Sequence, residues 1–119
     1  MLMKPIFHSV TPLLPAGKSL AAALRFYVDQ LGFVIQWQSG NSAGIVRDAI
    51  AFTLIESDNQ NWLENSSLSI GVSDLEALFN DYRNVAAPAR VGPLETKPWG
   101  RREFHLIEPA GVCFQFFQQ

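Results

Sequence analysis

Apolar side chains fall along this chain in two rhythms, alternation and helical spacing, and the same order of rhythms runs twice. Ile6 to Leu14 reads as a first strand. It carries Pro12, which donates no ladder hydrogen bond and so places the strand at an edge or kinks it there. Pro15-Ala16-Gly17 is a turn. From Lys18 to Gln30, the residues Leu20, Ala23, Leu24, Tyr27 and Leu31 recur at helical spacing. Gly32 suits the position just past a helix end. Phe33 to Gln38, Ala43 to Arg47 and Ile50 to Glu56 then read as strands, the last two joined tightly through Asp48-Ala49. Ser57 to Ser66 is a polar connector whose only large apolar residues are Trp62 and Leu63.

The pattern restarts with a strand over Ser67 to Val72. Asp74 is placed to cap a helix whose apolar face is Leu75, Leu78, Phe79 and Tyr82. Ala89 to Lys97 reads as a strand bent at Pro93. Glu103 to Ile107 and Val112 to Phe117 are the last two strands, joined through Glu108-Pro109-Ala110-Gly111. The two copies align in part. Ser19-Leu20 matches Asp74-Leu75 at the helix starts, and Ile50-Ala51-Phe52-Thr53-Leu54 matches Val112-Cys113-Phe114-Gln115-Phe116. The expected class is α+β, with two βαβββ modules at about 1–57 and 66–119 in one domain. A half of that size buries too little sheet to stand alone, so the two must pair.

Composition narrows the function. The 119 residues are 48% hydrophobic and 17% charged, a globular balance. The formal net charge of -2 gives no basic face for nucleic acid. The single cysteine, Cys113, forms neither an intrachain disulfide nor a paired-cysteine metal knuckle, and its apolar strand setting reads as an inert buried thiol. The first ten residues lack the apolar core of a secretory signal, and no run is long enough to span a bilayer. A soluble cytoplasmic protein is expected.

Three stretches resemble the glyoxalase / bleomycin resistance superfamily (vicinal oxygen chelate fold). Ser19-Leu20, Phe26-Tyr27 and Leu31-Gly32-Phe33 resemble its helix and following strand. Ala43 to Asp48 resembles the second-strand region of bleomycin-binding members. The most specific stretch is Pro98-Trp99-Gly100-Arg101-Arg102-Glu103-Phe104, continuing to Pro109-Ala110-Gly111. It resembles the signature of the bleomycin resistance branch, with Glu108 in place of an aspartate and Val112 in place of an asparagine. The resemblance covers nearly the whole chain. It implies U-shaped mixed sheets and a homodimer that exchanges first strands, Pro12 favouring the exchange.

Enzymes of this fold hold a divalent metal with His, Glu or Gln from the first and last strands of each half. The resemblance carries those positions onto Pro12, Thr53, Ser67 and Gln115. Only Gln115 is a metal-binding type, and one neutral amide does not hold a catalytic metal. No metal, cofactor or catalytic residue is therefore expected. The alternative is a metal-dependent lyase, isomerase or dioxygenase. It would require His8, His105 and a carboxylate such as Glu103 or Glu56 to converge. His105 sits on the strand after the Pro-Trp-Gly turn, facing either the cavity or solvent.

Binding without chemistry needs a concave surface with aromatic walls and a few placed polar groups. The resemblance places Trp99, flanked by Gly100, on the wall of a ligand groove; the other reading packs it over a sheet edge. Trp37 either stacks on the ligand or packs in the core, and Trp62 either walls the groove or lids the core. Glu103, Asp48 and Glu56 are candidate carboxylates for a cationic tail, or else strand residues paired with Arg47, Arg101 or Arg102. The function implied is sequestration, without turnover, of a bleomycin-type or similar aromatic or glycopeptide antibiotic in a groove at the dimer interface. A binder of another aromatic metabolite is the remaining alternative.

Overall fold

The computed structural model describes residues 3–119. The elements run β1 (Leu13–Pro15), α1 (Leu20–Arg25), β2 (Val34–Ser39), β3 (Ser42–Arg47), β4 (Ile50–Ile55), α2 (Gln60–Glu64), β5 (Ser67–Val72), α3 (Leu75–Tyr82), β6 (Arg90–Val91), β7 (Glu95–Thr96), β8 (Arg102–Ile107) and β9 (Cys113–Gln118). They form two mixed sheets, as the family resemblance implies. The first has the order β1-β4-β3-β2; the second has the order β5-β9-β8-β6, with β7 also on β8. In each sheet the opening strand runs parallel to the closing one, β1 to β4 and β5 to β9, and the other pairs are antiparallel.

Capping and burial explain the helices. Ser19 accepts the Ala22 N–H at 3.1 Å, and the Glu56 carboxylate accepts the Leu20 N–H at 3.0 Å. Asp74 accepts the Ala77 N–H, and Gln118 accepts the Leu75 N–H, so the last strand anchors the start of α3. The expected Lys18–Gln30 helix is α-helical only to Arg25 and continues as a π-helical turn over Phe26–Gln30. The wider turn buries the adjacent rings of Phe26 and Tyr27 together.

Three expected elements differ. Of the Ile6–Leu14 strand, only Leu13 and Leu14 pair, together with Pro15, and residues 3–11 are exposed. The Ser57–Ser66 connector holds a one-turn helix, because Asn59 accepts the Trp62 N–H at 3.1 Å and Leu63 is buried. The Ala89–Lys97 strand breaks at Gly92-Pro93 into β6 and β7.

The buried face of each sheet joins its helices in one core. At the centre an aromatic ladder crosses from sheet to sheet. Phe33 packs on Phe52, Phe52 stacks on Phe114 at 5.8 Å, Phe114 stacks on Phe116, and Phe116 packs on Phe104. Phe52 and Phe114 are equivalent positions of the internal repeat, so the seam is closed by the same residue of each half. Tyr27 meets Phe114 edge-on at 6.0 Å. Behind the second sheet, Glu108 is buried and accepts the Val112 N–H at 2.8 Å, which shapes the β8–β9 hairpin. Burial raises its carboxyl above the ordinary value, against the opposing pull of the Val112, Ala110 and Gly111 N–H groups.

Phe114 is 1% exposed and touches rings from both sheets. Phe114→Ala is expected to cost about 3–5 kcal/mol, read as a lower urea midpoint with an unchanged slope. Phe114→Leu should cost less.

Candidate functional site

The second sheet turns one face to the core and the other outward. Strand register fixes what shares the outer face. Glu103 stands opposite Phe117, His105 opposite Gln115, and Gln115 opposite Ser69. Alternation along β8 and β9 keeps Phe104, Leu106, Phe114 and Phe116 on the core side.

Glu103 organises this face. It is fully buried, yet three donors reach its carboxylate. Trp99 Nε1–H donates to Oε1 at 2.8 Å, Arg101 Nε–H donates to Oε1 at 3.1 Å, and His105 Nε2 lies 2.6 Å from Oε2. An ionised carboxylate only accepts, so His105 carries its proton on Nε2. Burial alone pushes the Glu103 carboxyl up. The hydrogen bonds from His105, Arg101 and Trp99, with the charge of Arg101, more than reverse this and bring it to about 2 from the usual 4.5.

The turn before β8 makes the Trp99 bond possible. Gly100 has φ +94 and donates its N–H to the Lys97 carbonyl at 2.8 Å, while Lys97 N–H donates to Arg101 at 3.0 Å. Trp99 is thereby 64% exposed while its indole N–H is tied to a buried group. Arg101 extends the cluster. Its guanidinium lies 4.1 Å over the Phe117 ring, and its Nη2 reaches Ser69 Oγ, which donates to Gln115 Oε1 at 3.1 Å.

Trp99, Gly100 and Glu103 thus come together. Trp37 lies on the first sheet, 43% exposed, its indole flat against Gly44. A Cβ on Gly44 would come within 2.6 Å of Trp37 Cδ1 and Cε2. Trp62 is half-buried on α2. Among the described residues, neither makes a side-chain hydrogen bond or ring contact with the Trp99 cluster.

The carboxylates resolve toward pairing. Glu103 is held by Arg101 and His105, Glu56 caps α1, and Asp48 lies 3.8 Å from Arg47. His105 faces the cluster, and His8 is exposed in the segment before β1. Cys113 is half-buried rather than buried, because it faces outward beside Ser67 and Ile107. Burial, then the Glu103 charge, raises its thiol. Gln115 has Ser69 rather than Ser67 as its β5 neighbour, and Thr53 has Leu13 rather than Pro12 on β1. Among the described residues, no three His, Cys, Asp or Glu side chains cluster as a metal site would require, and no helix is long and apolar enough to cross a membrane.

Arg101, Ser69 and Phe117 were not singled out from sequence as binding residues. The period-two spacing of Arg101, Glu103 and His105 was the available signal; Ser69 and Phe117 needed the register.

No family model matches the chain. It has the fold of the glyoxalase / bleomycin resistance / dioxygenase superfamily, and its sequence relatives are bleomycin resistance proteins. One of these, from Geobacillus stearothermophilus, is 23% identical over 125 residues, covering 91% of this chain and 94% of the relative. A bleomycin-binding protein from bleomycin-producing Streptomyces verticillus, solved with copper(II)-bleomycin, superposes with a TM-score of 0.85 at 29% identity, covering 98% of this chain and 99% of that one. A bleomycin resistance determinant encoded on the transposon Tn5 shares the fold with a TM-score of 0.81 at 19% identity, covering 95% of this chain and 98% of that one.

The Glu103 carboxyl is lowered on folding, so it favours the folded chain wherever it is ionised in both states. That contribution is full above pH 4.5 and is lost as the pH falls through about 2. Glu103→Gln should remove this part of the acid sensitivity. Between about pH 5 and pH 2, Tm should fall less in the variant than in the wild type.

Proposed function

We propose that this protein sequesters a bleomycin-type antibiotic, without turnover, in a groove walled by Trp99 and completed by a second copy of the chain. The observation that carries the reading is the Trp99 ring, left in solvent yet locked by its N–H to a buried carboxylate. An exposed aromatic surface that is already ordered loses little entropy when a flat heteroaromatic group stacks on it. Gly100 contributes the turn that presents the ring. Glu103 is occupied by three donors, so it acts as a positioning residue and is not the contact for a cationic tail. Trp37 and Trp62 supply further aromatic surface from the first sheet and α2. The relatives named above support an antibiotic as the ligand.

The apolar surface this chain leaves unused supports a homodimer with exchanged first strands. Met3, Ile6, Phe7 and Val10 are between 71% and 100% exposed in the segment before β1. Leu13, Val34, Ile35 and Trp37 expose apolar surface on the first sheet. Exposed apolar surface of this extent suits an interface, and a second copy of the chain offers the same surfaces in return.

Bleomycin, with and without copper, titrated into the protein should quench tryptophan fluorescence saturably, at about one ligand per chain with sub-micromolar affinity. Trp99→Ala should weaken binding roughly thirty-fold, about 2 kcal/mol. Absence of binding at tens of micromolar would remove the antibiotic reading. Stoichiometric metal that survives dialysis would favour the enzymatic alternative. Sedimentation equilibrium should find a dimer, and Phe7→Asp combined with Ile6→Asp should shift it to monomer. A wild-type monomer at all accessible concentrations would overturn the exchange.

A further inference from the structure

A cleft of about 450 Å³ opens at the seam of the two sheets, away from the Trp99 cluster. Its walls are largely apolar, with Phe33 and Ile50 from the first half and Ile70, Val72, Leu78 and Phe116 from the second, beside the polar Ser73 and Gln119. That volume lies within the range of small-molecule sites. One cation stands at its edge. Arg47 Nη1 donates to the Leu31 carbonyl at 2.7 Å and to the Tyr82 hydroxyl at 2.5 Å, and Tyr82 donates to the same carbonyl at 2.6 Å. Both Nη1 hydrogens are therefore used, and the guanidinium is fixed in place. Its other edge, Nε and Nη2, is the one that grips a carboxylate with two parallel hydrogen bonds. Among the described residues, the carboxylate within 4 Å of that edge is Asp48, 3.8 Å from Nε and 90% exposed. Arg47 and Asp48 both line the cleft.

We propose that this seam cleft is a second binding site, which takes an aliphatic monocarboxylate with its head on the free edge of Arg47 and its chain among the apolar walls. Asp48 competes for that edge and weakens the site. The proposal is independent of the antibiotic reading, since it uses none of the Trp99 cluster.

Octanoate, octanol and octylamine titrated separately into isotope-labelled protein test it through amide shifts. Octanoate should give saturable shifts at Arg47 to Ile50 and at Gly71 to Ser73. Octanol and octylamine should bind about tenfold more weakly or less. Asp48→Asn should tighten octanoate severalfold, and asparagine tolerates the left-handed φ of 50 at this turn. Ile70→Phe should fill the cleft and abolish the shifts. Arg47→Met should abolish them too, but it also frees Leu31 and Tyr82, so the Asp48 variant and the uncharged analogue carry the test. No saturable shift, equal affinity for octanol, or an Asp48→Asn variant that binds octanoate no more tightly would each overturn the proposal.

Discussion

The contact between Phe52 and Phe114 holds the architecture together. Each ring is a core-facing residue of the closing strand of its own sheet, and the two sheets meet through the pair. Each half has the apolar face of one sheet and a single main helix, too little to exclude water unaided. Stacking the equivalent rings joins the two faces into one core and extends it through Phe33 on one side and Phe116 and Phe104 on the other. Once the core faces are committed in this way, alternation leaves the opposite faces free. Polar and aromatic groups collect there on the second sheet, and apolar ones on the first.

Charge follows the same division. The only fully buried carboxylate on the outer face of the second sheet is surrounded by donors from a turn and from its own strand. Its partners are neutral, cationic and titratable in turn: Trp99, Arg101 and His105. The cluster orders a large ring at the surface, an expense the ligand then does not bear. Arg101 on Phe117 and Ser69 on Gln115 carry that order across three strands.

The strands and helices were legible because period-two and helical spacing are local signals. Strand ends shifted by about a residue, the predicted Asp74 cap holds, and Ser19, at the start of the other helix, caps it in the same way. The π-turn at Phe26 was not legible, since it answers to the simultaneous burial of two rings by distant strands. Nor was the short β1. Ile6 to Leu14 alternates like a strand, but a strand needs a partner, and pattern alone does not say how much of the segment finds one. At the site, the Pro-Trp-Gly-Arg-Arg-Glu run brought Trp99, Gly100 and Glu103 into view. It left Glu103 open between a ligand contact and a pairing partner, and the three groups that hold its carboxylate came into view only with the structure. The pairing of Gln115 with Ser69, and not Ser67, is a matter of register, which a two-residue slide of one parallel strand leaves compatible with the same alternation.

The indole of Trp37 lying on bare backbone at Gly44 ties the histories of two positions together. The ring occupies the volume that a side chain at residue 44 would fill. A mutational scan taken one substitution at a time would score residue 44 as closed to nearly every replacement. With a small residue at 37 the same position should open. Diversification of this aromatic surface therefore runs through paired changes, the tryptophan yielding first and the glycine following, and a library that varies the two sites separately would miss those combinations.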